Sequence, residues 1–330
     1  MSKQMVSDLQ PNASVSTWFA VMEKSLQPFK NKSGQFLNVT LGDRSGTIMG
    51  RAWDNAEQLA ELCVVNTVIK VEGRVDEYRG KLQLIIEDLA PCGEDEYDKA
   101  DLLRCSEKDM AELMGQLLGY VEQVQQPHLR QLLELFFGDE AFLLAFAQAP
   151  GAKRQHHAHL GGLLEHTLGV VRILCTLHEI HPQLDRDLLI TGALLHDAGK
   201  LEEYSTGVAI DYTDIGRLVG HIVITDRWVR ERIMQIPDFP QELDNKLNHL
   251  LLSHHGQKEY GAPVLPMTAE ATALHYADNL DAHVQCFIQA IEEGGVTGNK
   301  WTEYQRMFDR YFYIGSQPAQ GADETGGSDS

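Results

Sequence analysis

From residue 15 to residue 90 the chain alternates apolar and polar positions with a period of two. In 36–41, Leu37, Val39 and Leu41 fall on one side and Phe36, Asn38 and Thr40 on the other. In 47–53, Ile48, Gly50 and Ala52 oppose Met49, Arg51 and Trp53. In 68–75, Ile69, Val71, Gly73 and Val75 oppose Lys70, Glu72 and Arg74, and in 81–87 Leu82, Leu84 and Ile86 point inward. Such alternation marks strands with one buried face. The runs GDRSG (42–46) and DEYRG (76–80) have turn composition, and NAEQLAEL (55–62) reads as a short helix. Four or five short antiparallel strands within roughly 80 residues predict a small barrel.

Beyond residue 100 the period changes to 3.6. Segments 111–124 and 128–148 carry Leu and Phe at i, i+3, i+4 spacing, as helices packed along one face do. The closing stretch SQPAQGADETGGSDS has little to bury and reads as a disordered acidic tail. The expected fold class is therefore α+β multidomain, a small N-terminal β-barrel followed by an all-α domain. The expected divisions are a flexible N-terminus (1–14), the barrel (15–95), a helical connector (96–150) packed on a second helical domain (151–314), and the tail (315–330).

Composition bounds the partners. The 330 residues hold 28 Lys+Arg against 48 Asp+Glu, a net charge of -20. That argues against coating duplex DNA or sitting on anionic lipid. The distribution softens the point: residues 1–95 hold 10 basic against 13 acidic residues (-3), and the remainder 18 against 35 (-17). Five cysteines without a CxxC pair suggest a reducing compartment and no thiolate zinc site. With no apolar leader and no membrane-length run, the expectation is a cytoplasmic protein without a membrane partner.

The chemistry gathers after residue 155, in HHAHLGGLLEHT (156–167), LLHDAGK (194–200), VGHIV (219–223), LLSHHG (251–256) and LHYADNLDAH (274–283). These polar groups lie in apolar, helix-like surroundings, a costly place unless they are paired or ligated. Imidazoles with carboxylates suit Mn, Fe, Co, Ni or Zn rather than Ca. The adjacent pair His196-Asp197 ends an apolar helix, His221 sits within the amphipathic run 214–233, and His254-His255 end another helix. His275, Asp278 and Asp281 share one helix face. On the barrel, the outward residues Phe36, Arg51, Trp53, Lys70, Arg74 and Lys81 mix rings with cations, as surfaces that hold single strands do.

The barrel zone resembles the OB-fold nucleic-acid-binding family, and the His/Asp series resembles the HD superfamily of metal-dependent phosphohydrolases. Together, in this order, they are similar to the YhaM family of 3′→5′ exoribonucleases over nearly the whole chain. The resemblance implies two divalent ions, Mn²⁺ first, with Co²⁺, Fe²⁺, Ni²⁺ and Mg²⁺ as alternatives. It implies His166, His196 and Asp278 at one ion, His221, His254 and His255 at the other, and Asp197 bridging. Asp197 and Lys200 would be the catalytic residues, with Lys200 reaching a phosphate oxygen. His156 and His157 would line the substrate entry, and Glu165, His275 and Asp281 would orient ligating imidazoles. The implied partner is single-stranded RNA or single-stranded DNA. Cyclic-dinucleotide phosphodiesterases share the HHG motif, but Tyr260-Gly261-Ala262-Pro263 stands where their Gly-Tyr-Pro signature belongs. The rival activity is a phosphohydrolase acting on a nucleotide or cyclic nucleotide. A homo-oligomer is compatible with the sequence but not derivable from it.

Overall fold

The computed structural model describes residues 3–29, 33–78, 80–153, 157–294 and 300–315. Its N-terminal part contains β1 (Ser14–Pro28), β2 (Gln35–Asp43), β3 (Gly46–Ala52), α1 (Ala56–Leu62), β4 (Val68–Tyr78) and β5 (Lys81–Pro91). The strands close a barrel in the order β1-β2-β3-β5-β4. This is the OB-fold arrangement. The alternating residues fill it: Leu37, Val39, Leu41, Ile48, Ile69, Val71, Val75 and Leu84 are buried in one core with Phe19 of β1. Burying each such side chain contributes about 1.5–3 kcal/mol.

Four details depart from the sequence reading. The neighbours β3 and β5 run parallel, so the strands are not all antiparallel. The long β1 escaped singling out because a register shift between Val21 and Glu23 breaks its alternation. Leu82 opens β5 at the barrel's rim and stays exposed, unlike Leu84 and Ile86. Residues 3–13, expected to be flexible, run along the barrel instead: the Val6 N–H donates to Asp43 Oδ2 at 2.9 Å, Lys3 pairs with the same carboxylate, and Leu9 is buried in the core.

The rest is helical, in the order α2 (Met110–Gln123), α3 (Pro127–Phe137), α4 (Glu140–Gln148), α5 (Gly162–Ile180), α6 (Arg186–Leu195), α7 (Lys200–Glu203), β6 (Tyr204–Thr206), β7 (Ile210–Tyr212), α8 (Asp214–Leu218), α9 (His221–Ile233), α10 (Gln241–Ser253) and α11 (Ala269–Gly294). The run 128–148 is two helices, because α3 ends at Gly138 and the Asp139 carboxylate accepts the Ala141 and Phe142 N–H groups to start α4. Helices α2 to α4 share one core with the later helices, from Leu113 through Leu163 and Leu194 to Ala277. The all-helical expectation misses the β6–β7 ribbon, which matters to the architecture: its Asp211 accepts from Asn66 of the barrel at 2.8 Å and pairs with Lys153. A small apolar cluster of Ala20, Val68 and Leu102, with Trp18 and Val208 against it, joins the two halves nearby. No helix among the described residues is long and apolar enough to cross a membrane. The tail from residue 316, residues 1–2 and His156 lie outside the described residues.

Candidate metal centre and nucleic-acid face

The ends of α6 and α10, the starts of α5 and α9 and the first half of α11 converge on one carboxylate. His196 caps the C-terminus of α6, and Asp197 follows it, only 3% exposed. His254 caps α10 in the same way. His221 is not mid-helix, as its amphipathic surroundings suggested, but the first residue of α9. Gly220, at φ 77, turns the chain out of α8 there, in a region that residues with a Cβ rarely enter.

The two oxygens of Asp197 address two different groups. Oδ2 lies 3.3 Å from His196 Nε2 and 3.6 Å from His166 Nε2, and His166 Nε2 lies 3.1 Å from Asp278 Oδ1. Oδ1 lies 3.4 Å from His221 Nε2 and 3.7 Å from His254 Nε2, and the His255 ring packs 4.5 Å from that of His254. The donor atoms of His221, His254 and His255 lie within 4.8 Å of one another, as do those of His166, His196 and Asp197. The structure thus brings together all seven residues singled out from the sequence.

Most of these rings are held by their other nitrogen. His196 Nδ1 is 2.8 Å from the Ala193 carbonyl, His254 Nδ1 2.7 Å from the Leu251 carbonyl, and His255 Nδ1 2.7 Å from the Tyr260 carbonyl. Glu203 Oε1 accepts from both the N–H and Nδ1 of His221, at 3.0 and 2.9 Å. Since these oxygens only accept, each Nδ1 carries a proton, and in a neutral ring of that tautomer Nε2 presents a lone pair. Burial also pushes the His254 and His255 rings down, keeping them neutral. Yet the Nε2 atoms of His221 and His254 are buried without a hydrogen-bond partner, and they face a carboxylate. Lone pairs aimed at an anion repel it unless a cation sits between them. The donor set therefore fits divalent metal ions, with N and O ligands and no sulfur.

The His166 ring is flanked by two carboxylates, Asp278 Oδ1 3.1 Å from Nε2 and Asp281 Oδ2 2.7 Å from Nδ1. Burial opposes charging this ring, but its hydrogen bonds to Asp278 and Asp281 outweigh burial and lift it to about 9. Burial would likewise raise the Asp197 carboxyl, but Lys200 and the imidazoles hold it well below the usual carboxylate range.

The supporting residues divide differently from the sequence reading. Asp281 does orient a candidate ligand, 2.7 Å from His166 Nδ1. Glu165 does not: it pairs with His159 and Lys108, tying α5 to the segment before α2. His275 acts on backbone, with Nδ1 2.8 Å from the His254 carbonyl. Its ring lies 2.2 Å from where a Cβ on Gly256 (φ 75) would stand, so glycine is required after the double histidine. Lys200 is not extended toward a substrate: its Nζ is 2.7 Å from both Asp197 Oδ2 and the Gly151 carbonyl. His157 is buried and shares Asp281 with His166, while also lining a 370 Å³ cleft with Arg104, Lys108 and His159. Glu203 was missed. It stands six residues after Asp197 beside another glutamate, and nothing in that local pattern sets it apart.

On the barrel, Phe36 of β2 and Trp53, the residue after β3, have ring centroids 4.9 Å apart, and Arg51 sits 5.8 Å from the Trp53 ring. Two unforeseen rings complete the group: Phe29, 5.3 Å from Phe36, and Tyr78, 5.9 Å from Arg51. Phe29 follows β1 and Tyr78 ends β4, so the group lies at the β2–β3 face and the adjoining turns, where OB folds hold oligonucleotides. Arg74 joins it through the register row Arg51–Ile85–Arg74. Lys70 and Lys81 are exposed but engaged with Glu96 and Glu303, and Lys70 lies toward the other end of β4.

Comparison with known proteins matches this division. The HD domain family matches residues 163–283, and the OB-fold nucleic acid binding domain family matches residues 20–91. A protein of Bacillus licheniformis named 3′-5′ exoribonuclease YhaM is 33% identical over 300 residues, covering 89% of this chain and 93% of that protein. Its namesake in Bacillus subtilis is 32% identical over 299 residues, with 89% and 93% covered. The second OB-fold domain of replication protein A from Methanococcus maripaludis aligns with 28% of this chain and 97% of its own, at 22% identity and TM-score 0.24, too slight a likeness to carry weight. With both halves matched in order and the relatives spanned almost end to end, the chain belongs to the YhaM family of 3′-5′ exoribonucleases.

Proposed function

We propose that this chain is a metal-dependent 3′→5′ exoribonuclease that removes nucleoside monophosphates from the end of single-stranded RNA. The observation that carries the reading is Asp197: a buried carboxylate whose two oxygens each face a separate group of imidazole nitrogens, on a chain that also carries an aromatic and cationic barrel face. His166, His196 and Asp278 would hold one divalent ion, His221, His254 and His255 a second, and Asp197 would contribute an oxygen to each. Bound cations of this kind make water a nucleophile near neutral pH and offset charge on phosphoryl oxygens. Mn²⁺ is the proposed ion, and Co²⁺, Fe²⁺, Ni²⁺ and Mg²⁺ are the ions to compare with it.

The protein's own groups do the positioning. Lys200 holds Asp197 ionised and fixed in place. A contact from Lys200 to phosphate would require it to leave that partner, so its proposed role is to position the carboxylate. Glu203 and Asp281 aim the His221 and His166 rings. Arg104 lines the cleft beside His157 and offers its charge to an approaching phosphodiester, while Lys108 in the same cleft is paired with Glu165. The barrel holds the strand by stacking bases on Phe29, Phe36 and Trp53, with Arg51 and Arg74 near the backbone. Single-stranded DNA is admitted to the same face, because every base offers a stacking surface.

The test is a 5′-labelled single-stranded RNA incubated with and without divalent metal. Stepwise shortening from the 3′ end with release of mononucleotides is expected, only when metal is present. Asp197→Asn should abolish it while leaving strand binding and helical content intact. Internal cuts, or full activity in Asp197→Asn, would refute the reading.

A further inference from the structure

Residues 300–315 fold back on themselves beyond α11. The Thr302 N–H donates to the Phe312 carbonyl at 2.9 Å, Ile314 N–H to Lys300 at 2.8 Å, and Gln305 N–H to Arg310 at 2.9 Å, making a short hairpin. One side is anchored. Phe312 is 2% exposed and stacks on Phe287 of α11, with centroids 3.5 Å apart, and Phe308 packs edge-on against Phe287 and His283.

The other side is a row of exposed rings. Trp301 and Tyr313 pair across the hairpin at 5.0 Å, and Tyr304 and Tyr311 at 5.2 Å. All four are at least 44% exposed, an expensive way to present aromatic surface to water. The segment carries Lys300, Arg306 and Arg310 against Glu303 and Asp309, three cations to two acids, within a chain of net charge -20. Local positive charge and open rings together are the recognition chemistry of unpaired bases on a phosphate backbone.

Position strengthens the case. Lys81, which pairs with Glu303, is the register partner of Tyr78, and Tyr78 belongs to the ring and cation group on the barrel. At its other edge the hairpin rests on α11, where Phe287 lies about 9 Å along the axis from Asp281. The hairpin thus touches both the strand-holding barrel and the helix that carries Asp278 and Asp281.

We propose that the hairpin 300–315 is a second stacking platform for single-stranded nucleic acid, receiving the strand as it leaves the barrel and directing its 3′ end toward the metal centre. The inference rests on the proposed exonuclease reading. A double variant, Trp301→Ala with Tyr311→Ala, tests it in the full-length protein. The KM for a 20-nucleotide RNA should rise roughly tenfold or more, the expected loss for one or two stacked bases. Hydrolysis of a chromogenic 4-nitrophenyl phosphodiester, too small to reach the hairpin, should stay within about twofold of the parent. Trp301→Phe with Tyr311→Phe, which keeps flat rings, should restore the KM. An unchanged KM in the alanine variant overturns the proposal, and so does a change of oligomeric state by light scattering, which would make the hairpin a contact between copies. A parent protein that leaves both substrates intact would refute the exonuclease reading itself.

Discussion

The residue that sequence reasoning passed over supports the sharpest prediction. Glu203 Oε1 accepts two hydrogen bonds from His221, one from its backbone N–H at 3.0 Å and one from Nδ1 at 2.9 Å. Both are charge-assisted: burial favours the neutral carboxyl, but the bonds to His221 hold it below the ordinary glutamate range. Glu203→Gln keeps the volume and an amide oxygen in the same place, so the ring stays aimed. What is lost is the charge behind each bond. A hydrogen bond to a charged group contributes about 1.5–3 kcal/mol and a neutral one about 0.5–1.5, so two such bonds weaken by about 2 kcal/mol in all. Part of that loss reaches the metal, because the anion on Nδ1 makes Nε2 a better donor. Outer partners of this kind typically change metal affinity about 10–100-fold. Calorimetric titration of the metal-free protein with Mn²⁺ should therefore show one class of site weakened by that factor. The thermal transition in chelator should move by only a few degrees, as a loss of about 2 kcal/mol in a protein of this size requires. Unaltered Mn²⁺ affinity in a folded Glu203→Gln protein would refute the idea that His221 is a ligand whose donor strength Glu203 sets.

Three further outcomes are expected. Gly256→Ala places a Cβ 2.2 Å from the His275 ring at a φ of 75, and should destabilise the fold by about 2–4 kcal/mol in urea while lowering hydrolysis, since His254 and His255 precede it. Glu165 lies at about 2, because its bonds to His159, Lys108 and Ser106 overcome the opposing effect of burial. A depressed carboxyl stabilises above its unfolded value and loses that contribution as pH falls, so the urea midpoint gap between parent and Glu165→Gln should be full at pH 6 and close between about pH 4.3 and 2. Phe29→Ala opens the barrel's ring group and should weaken binding of a ten-nucleotide RNA by roughly 5–100-fold in fluorescence anisotropy, with hydrolysis of the chromogenic diester unchanged.

The sequence was most readable where one physical rule acts alone. Period-two alternation picked out the inward residues of β2, β3 and β4 because a barrel wall has one wet and one dry face. It failed at β1, where a register shift changes the face partway along, and at Leu82, where the strand begins before the core does. The ligand candidates were legible because buried histidines and aspartates within apolar helices need a reason. The second layer was less so. Asp281 shares a helix face with Asp278, so spacing found it, but Glu203 reaches His221 across a turn, a ribbon and a short helix that no local pattern encodes. Lys200 shows the opposite limit: its place one turn after Asp197 was plain, but its direction depended on the Gly151 carbonyl, 49 residues earlier. Phe29 and Tyr78 were missed because they stand at strand ends, where alternation carries no information.

His196 and His254 each end a helix, and each ring reaches back three residues to a carbonyl of its own last turn, Ala193 or Leu251. Carbonyls there have lost their in-helix donors and need a substitute. One bond therefore stops the helix and aims the lone pair at Asp197. The placement of these two candidate donor nitrogens is in this sense tied to helix termination, through contacts that lie within α6 and α10 themselves. A metal-stripped protein should then behave as a finished receptor, able to trade one divalent ion for another without refolding. Alanine at either position removes a structural stop together with a donor atom, so its effect on activity mixes the two. The informative replacement at these positions is one that still reaches the carbonyl.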